Sequence, residues 1–145
     1  MRGEIALEHK EHQGHKGHEG IPTGVEALSG IIVDAGLKVH RTLGPGLLES
    51  AYESCLYHEL QLRGLTVRRQ AQLPFIYEGM ILDAGYRIDL IVEESIVVEI
   101  KAVEALTRLH RAQVLTYLKL SNLRIGLLLN FNVELFKDGV RRLVL

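Results

Sequence analysis

With 145 residues, of which 47% are hydrophobic and 24% are charged, the chain is long enough for one folded domain with its own core. Its 17 Lys and Arg residues against 18 Asp and Glu give a formal net charge of −1, which argues against the strongly basic surface of a dedicated DNA-binding protein. The single cysteine, Cys55, excludes a disulfide within the chain and any all-cysteine metal or iron–sulfur site, so we expect a cytoplasmic protein.

The N-terminal region is polar and rich in histidine. Four histidines recur there at a spacing of three residues: His9, His12, His15 and His18. Because the tract has too few apolar residues for a core, we predict a disordered tail over residues 1–22 and a single domain over residues 23–145. The histidines could chelate zinc, nickel or copper loosely, but adventitious binding is the preferred interpretation. No secretion signal and no apolar run of roughly 18 residues is found, so we expect neither export nor a membrane span.

Two helices are predicted after the tail. Thr23 and Glu26 form a capping-box pattern ahead of apolar residues at helical spacing, which predicts a helix as far as about Arg41. The sequence LGPG at positions 43–46 ends this helix. A second helix is predicted over about residues 48–63, before Gly64.

Glu49 falls on a stripe of the second helix that should face the core. Tyr52, Leu56 and Leu60 follow it at i+3, i+7 and i+11. A carboxylate that faces a core needs a partner. Alternatively, Glu49 only complements the positive end of its helix, which is worth about 0.3–1 kcal/mol. The spacing leaves both interpretations open.

Two strands are predicted next, over residues 65–70 and 72–77, with Pro74 indicating an edge position. Glu78-Gly79 is predicted to turn into a hairpin formed by residues 86–102, YRIDLIVEESIVVEIKA. In its first strand Ile88, Leu90 and Val92 share one face under a period of two.

The hairpin sets two acids side by side. A three-residue loop at positions 93–95 places Asp89 opposite Glu99, whereas a register shifted by two residues would keep the acids on one face without opposing them directly. Opposed carboxylates destabilise a sheet unless a cation lies between them, and Mg²⁺ commonly binds one or two carboxylates together with waters and phosphates. Lys101 projects from the face of Glu99 and could orient or deprotonate a water, or neutralise a phosphate. The alternative is an exposed hairpin face on which Lys101 simply pairs with Glu99.

The C-terminal part predicts a strand–helix–strand crossover. A helix over about residues 106–120 and a strand over 125–129 follow Lys101, so the Glu99 strand and the Ile125 strand should be parallel. Gln113 and Tyr117 lie four residues apart on one face of that helix. This face could serve a site, or it could pack on the sheet with its polar tips in water.

The closing segment contains a turn signal. Asp138-Gly139 predicts a hairpin between strands at residues 133–137 and 140–144.

The motifs together resemble a known family. Positions 46–52, GLLESAY, fit the signature of the GxxExxY family, which is placed in the PD-(D/E)xK nuclease superfamily. Asp89, the segment at positions 99–101, and Gln113 with Tyr117 stand where the Asp, ExK and QxxxY elements of that superfamily stand. The resemblance covers nearly everything after residue 25.

The resemblance implies an α/β fold with a restriction-endonuclease-like αβββαβ core. Its mixed central sheet would be flanked by helices, with an added N-terminal helix and C-terminal hairpin. Asp89, Glu99 and the carbonyl of Ile100 would hold one or two Mg²⁺ or Mn²⁺ ions, and Glu49 would join them directly or through water. The Pro that often precedes the Asp is absent, and Ile88 stands in its place.

The resemblance also implies a mechanism and partners. Lys101 would position or deprotonate the attacking water, and Gln113 and Tyr117 would orient Lys101, that water or the DNA backbone. We expect a nuclease that acts on DNA rather than RNA, with a homodimer as one arrangement for cutting both strands. The alternative is a catalytically silent nucleic-acid-binding or accessory subunit that retains the nuclease fold.

Overall fold

The computed structural model describes residues 23–145. The predicted histidine-rich tail lies outside the described residues, and so does the Thr23 side chain on which the predicted capping box depends. No helix of the described part is both long enough and apolar enough to cross a membrane.

The helices and strands within residues 23–145 follow the predicted order closely. They are α1 (Thr23–Leu43), α2 (Glu49–Leu62), β1 (Val67–Gln72), β2 (Phe75–Tyr77), β3 (Met80–Leu82), β4 (Arg87–Val92), β5 (Ile96–Lys101), α3 (Arg108–Ser121), β6 (Ile125–Asn130), a 3₁₀ helix (Phe136–Gly139) and β7 (Val140–Val144).

Five strands form one mixed sheet in the order β1-β4-β5-β6-β7. Strands β4 and β5 are antiparallel, whereas β5 and β6 are parallel because α3 crosses over between them. The succession α2-β1-β4-β5-α3-β6 is the αβββαβ order of a restriction-endonuclease-like fold. The predicted fold class and the parallel pairing of β5 with β6 are therefore confirmed.

Each face of the sheet carries a hydrophobic core. Helices α1 and α2 cover one face with fully buried side chains such as Ile32 and Leu56. Helix α3 covers the other face through Val114 and Leu118. It approaches closely because β6 has a glycine there: a Cβ on Gly126 would lie 2.6 Å from Cγ1 of Val114.

The predicted C-terminal hairpin is wrong in its first arm. Residues 133–137 form no strand, and β7 pairs instead with β6, in antiparallel orientation. The reason is packing: Phe136 is 3% exposed, and its ring lies 5.1 Å from that of Phe131 and 5.6 Å from that of His40. Burying this side chain bends the segment into the 3₁₀ helix and overrides the local turn signal.

The strands before the central hairpin also differ from the prediction. Strand β1 extends to Gln72, and Pro74, which cannot donate a ladder hydrogen bond, lies between β1 and β2 rather than inside a strand. Glu78 and Gly79 have φ of 48° and 83° and connect β2 to β3, a strand that was not predicted. These two strands form a separate small sheet.

Candidate active site

Two glycines and a tyrosine fix the start of α2. Gly44 and Gly46 have φ of 71° and 101°, which favour glycine. The buried Tyr52 hydroxyl donates to the Gly44 carbonyl at 2.6 Å and accepts from the Leu47 N–H at 3.1 Å. The Tyr52 ring stacks on that of Phe131 at 4.7 Å. The glycine and tyrosine of the GxxExxY pattern thus hold the loop from which the helix begins.

Glu49 is the first residue of α2 and is exposed. The rest of its predicted stripe is fully buried, as expected for Tyr52, Leu56 and Leu60. Glu49 itself does not face the core, and no hydrogen bond joins it to Asp89 or Glu99. Its charge still reaches the site, because it contributes to raising the pKa of both acids. A role for Glu49 as a metal ligand stays a prediction.

Asp89 and Glu99 lie side by side, as the predicted register requires. The pairs of β4 and β5 are Leu90 with Val98, Ile91 with Val97 and Val92 with Ile96. At the next position along the hairpin, the carboxylates of Asp89 and Glu99 accept hydrogen bonds from backbone N–H groups of the opposite strand. Asp89 N–H donates to Glu99 Oε2 at 2.8 Å, and Ile100 N–H donates to Asp89 Oδ2 at 2.9 Å. The predicted hairpin register is confirmed.

The alternation of β4 breaks at Asp89. Leu90 and Val92 pack in the core beneath α1 and α2. Ile88 packs in the core beneath α3, so the prediction that it shares a face with Leu90 is wrong. The alternation of the neighbouring strand β1 also breaks at this position. Val67 and Ala71 are four residues apart and should share a face, but Val67 packs with the first core and Ala71 with the second. The break in alternation lies beside Gln70, which has φ of 52° and stands between the paired residues Arg69 and Ala71.

Burial and repulsion perturb both acids. Burial raises the pKa of Glu99, which is 3% exposed, to about 8, and the charge of Asp89 adds to the rise. Burial also raises the pKa of Asp89 to about 6; the Ile100 N–H opposes this, and the charge of Glu53 reinforces it. The two carboxylates therefore resist carrying two negative charges together in the metal-free protein.

Lys101 is linked by hydrogen bonds to Gln113 and, through it, to Tyr117 of α3. Its Nζ donates to Gln113 Oε1 at 3.2 Å, and Gln113 Nε2 donates to the Tyr117 hydroxyl at 3.1 Å. Burial raises the pKa of Tyr117, and the charge of Glu99 adds to this, so the hydroxyl stays protonated at neutral pH. The sequence prediction that Gln113 and Tyr117 share a helix face is confirmed, and that face lies at Lys101.

Both ends of α3 are capped, which fixes the extent of the helix that carries Gln113 and Tyr117. Thr107 Oγ1 accepts from the His110 N–H at 3.2 Å, and His110 Nδ1 accepts from the Thr107 N–H at 3.1 Å, forming a capping box. Asn122 ends the helix with φ of 62°. Between these caps Val114 and Leu118 pack the helix on the sheet. Gln113 and Tyr117 therefore lie on the side of the helix that is next to Lys101.

Two residues of the site were missed from the sequence. Glu53, one turn after Glu49, is 8% exposed and lies beneath β1. Gln70 Nε2 donates both to Glu53 and to Asp89 Oδ1. Glu53 could have been found from its i+4 spacing to Glu49. Nothing in the local sequence indicates the left-handed backbone of Gln70.

The oxygen atoms at this site are of the kind that a hard divalent ion binds. Glu99 Oε2 accepts from the Asp89 N–H, and among residues 23–145 no hydrogen bond to Glu99 Oε1 is found. Asp89 and the Ile100 carbonyl offer further oxygens beside it. In the described part of the chain no three Asp, Glu, His or Cys side chains are grouped as a complete metal site. Mg²⁺ commonly needs only one or two carboxylates, completed by waters and substrate phosphates.

Comparison with known proteins identifies a superfamily. A family model described as the PD-(D/E)XK nuclease superfamily matches residues 26–143. No curated protein and no solved structure matched the chain. The matched range includes the acid pair, Lys101 and the polar face of α3.

Proposed function

This chain belongs to the PD-(D/E)XK nuclease superfamily, and we propose that it is a nuclease that hydrolyses phosphodiester bonds in DNA with the help of Mg²⁺ or Mn²⁺. The observation that carries the proposal is the opposed pair of the half-buried Asp89 and the buried Glu99, with Lys101 two residues further along β5. Within the superfamily we place the chain in the GxxExxY family, because Gly46, Glu49 and Tyr52 fit that signature.

Four groups would hold the ion. Asp89, Glu99 and the carbonyl of Ile100 supply oxygens from two neighbouring strands, and Glu49 would complete the set through water. An ion bound there would lower the pKa of a water and neutralise charge on the phosphate. The raised pKa values of the two acids support this assignment, since a cation between them would favour the ionised form of both.

Lys101 would act on the reacting groups. In hydrolysis the oxygen of a water forms a bond to phosphorus while the bond from phosphorus to the leaving sugar oxygen breaks. The water loses a proton and the leaving oxygen gains one. Gln113 accepts one hydrogen of the Lys101 ammonium, so the other hydrogens can orient the water and neutralise the phosphate.

Gln113 and Tyr117 would position Lys101. Gln113 must present its oxygen to the ammonium, and its amide nitrogen then faces the Tyr117 hydroxyl. Tyr117 is 7% exposed, so its hydroxyl has little freedom to move, and it holds the end of the hydrogen-bonded chain that is farthest from Lys101. The arrangement limits the freedom of the long lysine side chain before substrate binds.

We propose DNA as the substrate and RNA as the less favoured one, as the resemblance to the GxxExxY family implies, and the exposed arginines suit the phosphates of either. Arg87 and Arg108 are exposed on β4 and at the start of α3, and they offer guanidinium groups for phosphates. We propose that the enzyme works in the cytoplasm, as a homodimer where both strands are cut.

Cleavage assays test the proposal. Purified protein is incubated with linear, circular and single-stranded DNA in Mg²⁺ or Mn²⁺, beside Asp89→Asn and its exposed control Asp138→Asn. We expect cleavage by the parent and the control, and loss of cleavage in Asp89→Asn. A folded parent that binds DNA but leaves all substrates intact with both ions would favour the accessory-subunit alternative.

A further inference from the structure

Gln70 adopts a backbone conformation that is rare inside strands. Its φ is 52°, in the left-handed region, which costs a residue other than glycine on the order of 1–3 kcal/mol. On both sides of it β1 stays paired with β4: Arg69 with Leu90 and Ala71 with Ile88. The kink is therefore local to Gln70, and the strand is regularly paired on both sides of it.

The kink brings the Gln70 side chain between two carboxylates. Nε2 lies 2.9 Å from Glu53 Oε1, 3.0 Å from Glu53 Oε2 and 3.2 Å from Asp89 Oδ1. An ionised carboxylate only accepts hydrogen bonds, so the amide nitrogen rather than the amide oxygen must face both acids. Gln70 is thus a neutral donor that separates two like charges.

Glu53 is held firmly on the far side of this amide. Its Oε2 accepts from Arg69 Nε at 2.8 Å. Arg69 in turn donates to Ser54 Oγ at 2.7 Å, and its guanidinium carbon lies 5.4 Å from the centre of the Tyr57 ring. An ion-paired Glu53 fixes which end of the Gln70 amide faces the site.

The Asp89 carboxylate is consequently held at both oxygens. Oδ2 accepts from the Ile100 N–H at 2.9 Å, and Oδ1 accepts from Gln70. Each oxygen keeps a second lone pair, so both hydrogen bonds can persist while the carboxylate binds a cation.

We propose that Gln70 is a positioning residue, which Glu53 orients and which holds the Asp89 carboxylate in the orientation that binds the divalent ion. The inference rests on the proposed function. Hydrogen-bond partners of ligating carboxylates typically contribute about 10–100-fold to metal affinity. Loss of the Gln70 amide should weaken Mn²⁺ binding by that factor.

Two glycine substitutions in the same strand test the proposal. Gln70→Gly removes the amide and accepts the left-handed backbone, so folding should be retained. Gln72→Gly, at the exposed end of β1, removes an amide that has no part in the site. The dissociation constant for Mn²⁺ is measured by calorimetry without DNA, and the melting temperature of each variant is measured in EDTA.

We expect the dissociation constant to rise about 10–100-fold in Gln70→Gly and to stay within about twofold of the parent in Gln72→Gly. DNA cleavage by Gln70→Gly should recover as Mn²⁺ is raised, a response that a loss of folding would not give. Gln70→Asn, which also accepts a left-handed backbone but is shorter by one methylene, should behave like Gln70→Gly.

The outcomes separate the inference from the proposed function. If the parent binds Mn²⁺ and Gln70→Gly binds it equally well, the positioning role is wrong and the nuclease proposal stands. If the folded parent neither binds Mn²⁺ nor cleaves DNA, the proposed function and the positioning role both fall.

Discussion

Asp89 and Glu99 each bind the backbone of the opposing strand: the Asp89 N–H donates to Glu99 Oε2 at 2.8 Å, and Asp89 Oδ2 accepts from the Ile100 N–H at 2.9 Å. These bonds continue the antiparallel pairing of β4 and β5 through side chains after the last backbone pair. The acids are therefore fixed by the sheet itself. Their closeness is less costly when one acid keeps its proton or a cation balances the second charge.

The first prediction concerns pH and stability without metal. The folded pKa of Glu99, about 8, exceeds its ordinary value of 4.5. Stability from its protonated form is full below pH 4.5 and is lost as pH rises through about 8. Because each pKa unit is worth about 1.4 kcal/mol, Glu99→Gln in EDTA at pH 8 should melt roughly 4 °C or more above the parent.

Thermal melts from pH 5 to pH 9 check this result, with the exposed Glu104→Gln as the matched control. The advantage of Glu99→Gln should shrink toward pH 5, where the parent carboxyl is protonated too. An advantage that is equal at both pH values, or a variant less stable at pH 8, would contradict the assigned cause.

The second prediction concerns the contribution of Tyr52 to stability. Tyr52→Phe removes the hydrogen bonds to the Gly44 carbonyl and the Leu47 N–H. Leaving such groups unpaired costs about 1–3 kcal/mol each where they are buried. Urea unfolding should show a loss in that range, whereas Tyr57→Phe, which loses one exposed bond to Gln61, should lose less. Equal losses would show that the loop does not depend on Tyr52.

The third prediction compares two glycines of α1. A Cβ on Gly36 would lie 2.6 Å from Cζ of Phe136, whereas nothing lies within 4 Å of a Cβ on Gly30. Both substitutions to alanine gain about 1 kcal/mol of helix propensity, but Gly36→Ala also overpacks the core at a cost of about 1–3 kcal/mol. Denaturant unfolding should rank Gly30→Ala above Gly36→Ala by that difference. The reverse order would contradict the packing of Phe136 against α1.

The fourth prediction separates ion binding from chemistry. Lys101→Ala should reduce DNA cleavage by about 10²-fold or more, since it removes the ammonium that faces the reacting groups. Binding of Mn²⁺ should not weaken, because the acid pair remains. The exposed Lys119→Ala on α3 serves as the control and should cleave as the parent does. Normal cleavage by Lys101→Ala would remove Lys101 from the mechanism.

The sequence was sufficient where a strict period and a short loop act together. The alternation in β5 and the three-residue loop after Val92 predicted the register that opposes Asp89 to Glu99, and the structure has that register rather than the one shifted by two residues. The helix period placed Gln113 and Tyr117 on one face in the same way.

Prediction failed where tertiary packing decides the local conformation. Burial of Phe136 prevails over the turn signal at Asp138-Gly139. The kink at Gln70 depends on carboxylates from another helix and another strand, which its own neighbours in sequence do not indicate. Glu49 is exposed although its stripe is buried, because it begins the helix beside Leu48, which is 77% exposed.

The most direct test of the account is calorimetric titration of Mn²⁺ into the parent, Asp89→Asn and Asp138→Asn at pH 8. We expect saturable binding to the parent and to Asp138→Asn, and an affinity for Asp89→Asn that is lower by about tenfold or more, since a charged ligand is lost. Equal affinities for the parent and Asp89→Asn, or no binding by the folded parent, would contradict the claim that the acid pair of Asp89 and Glu99 is the metal site of a nuclease.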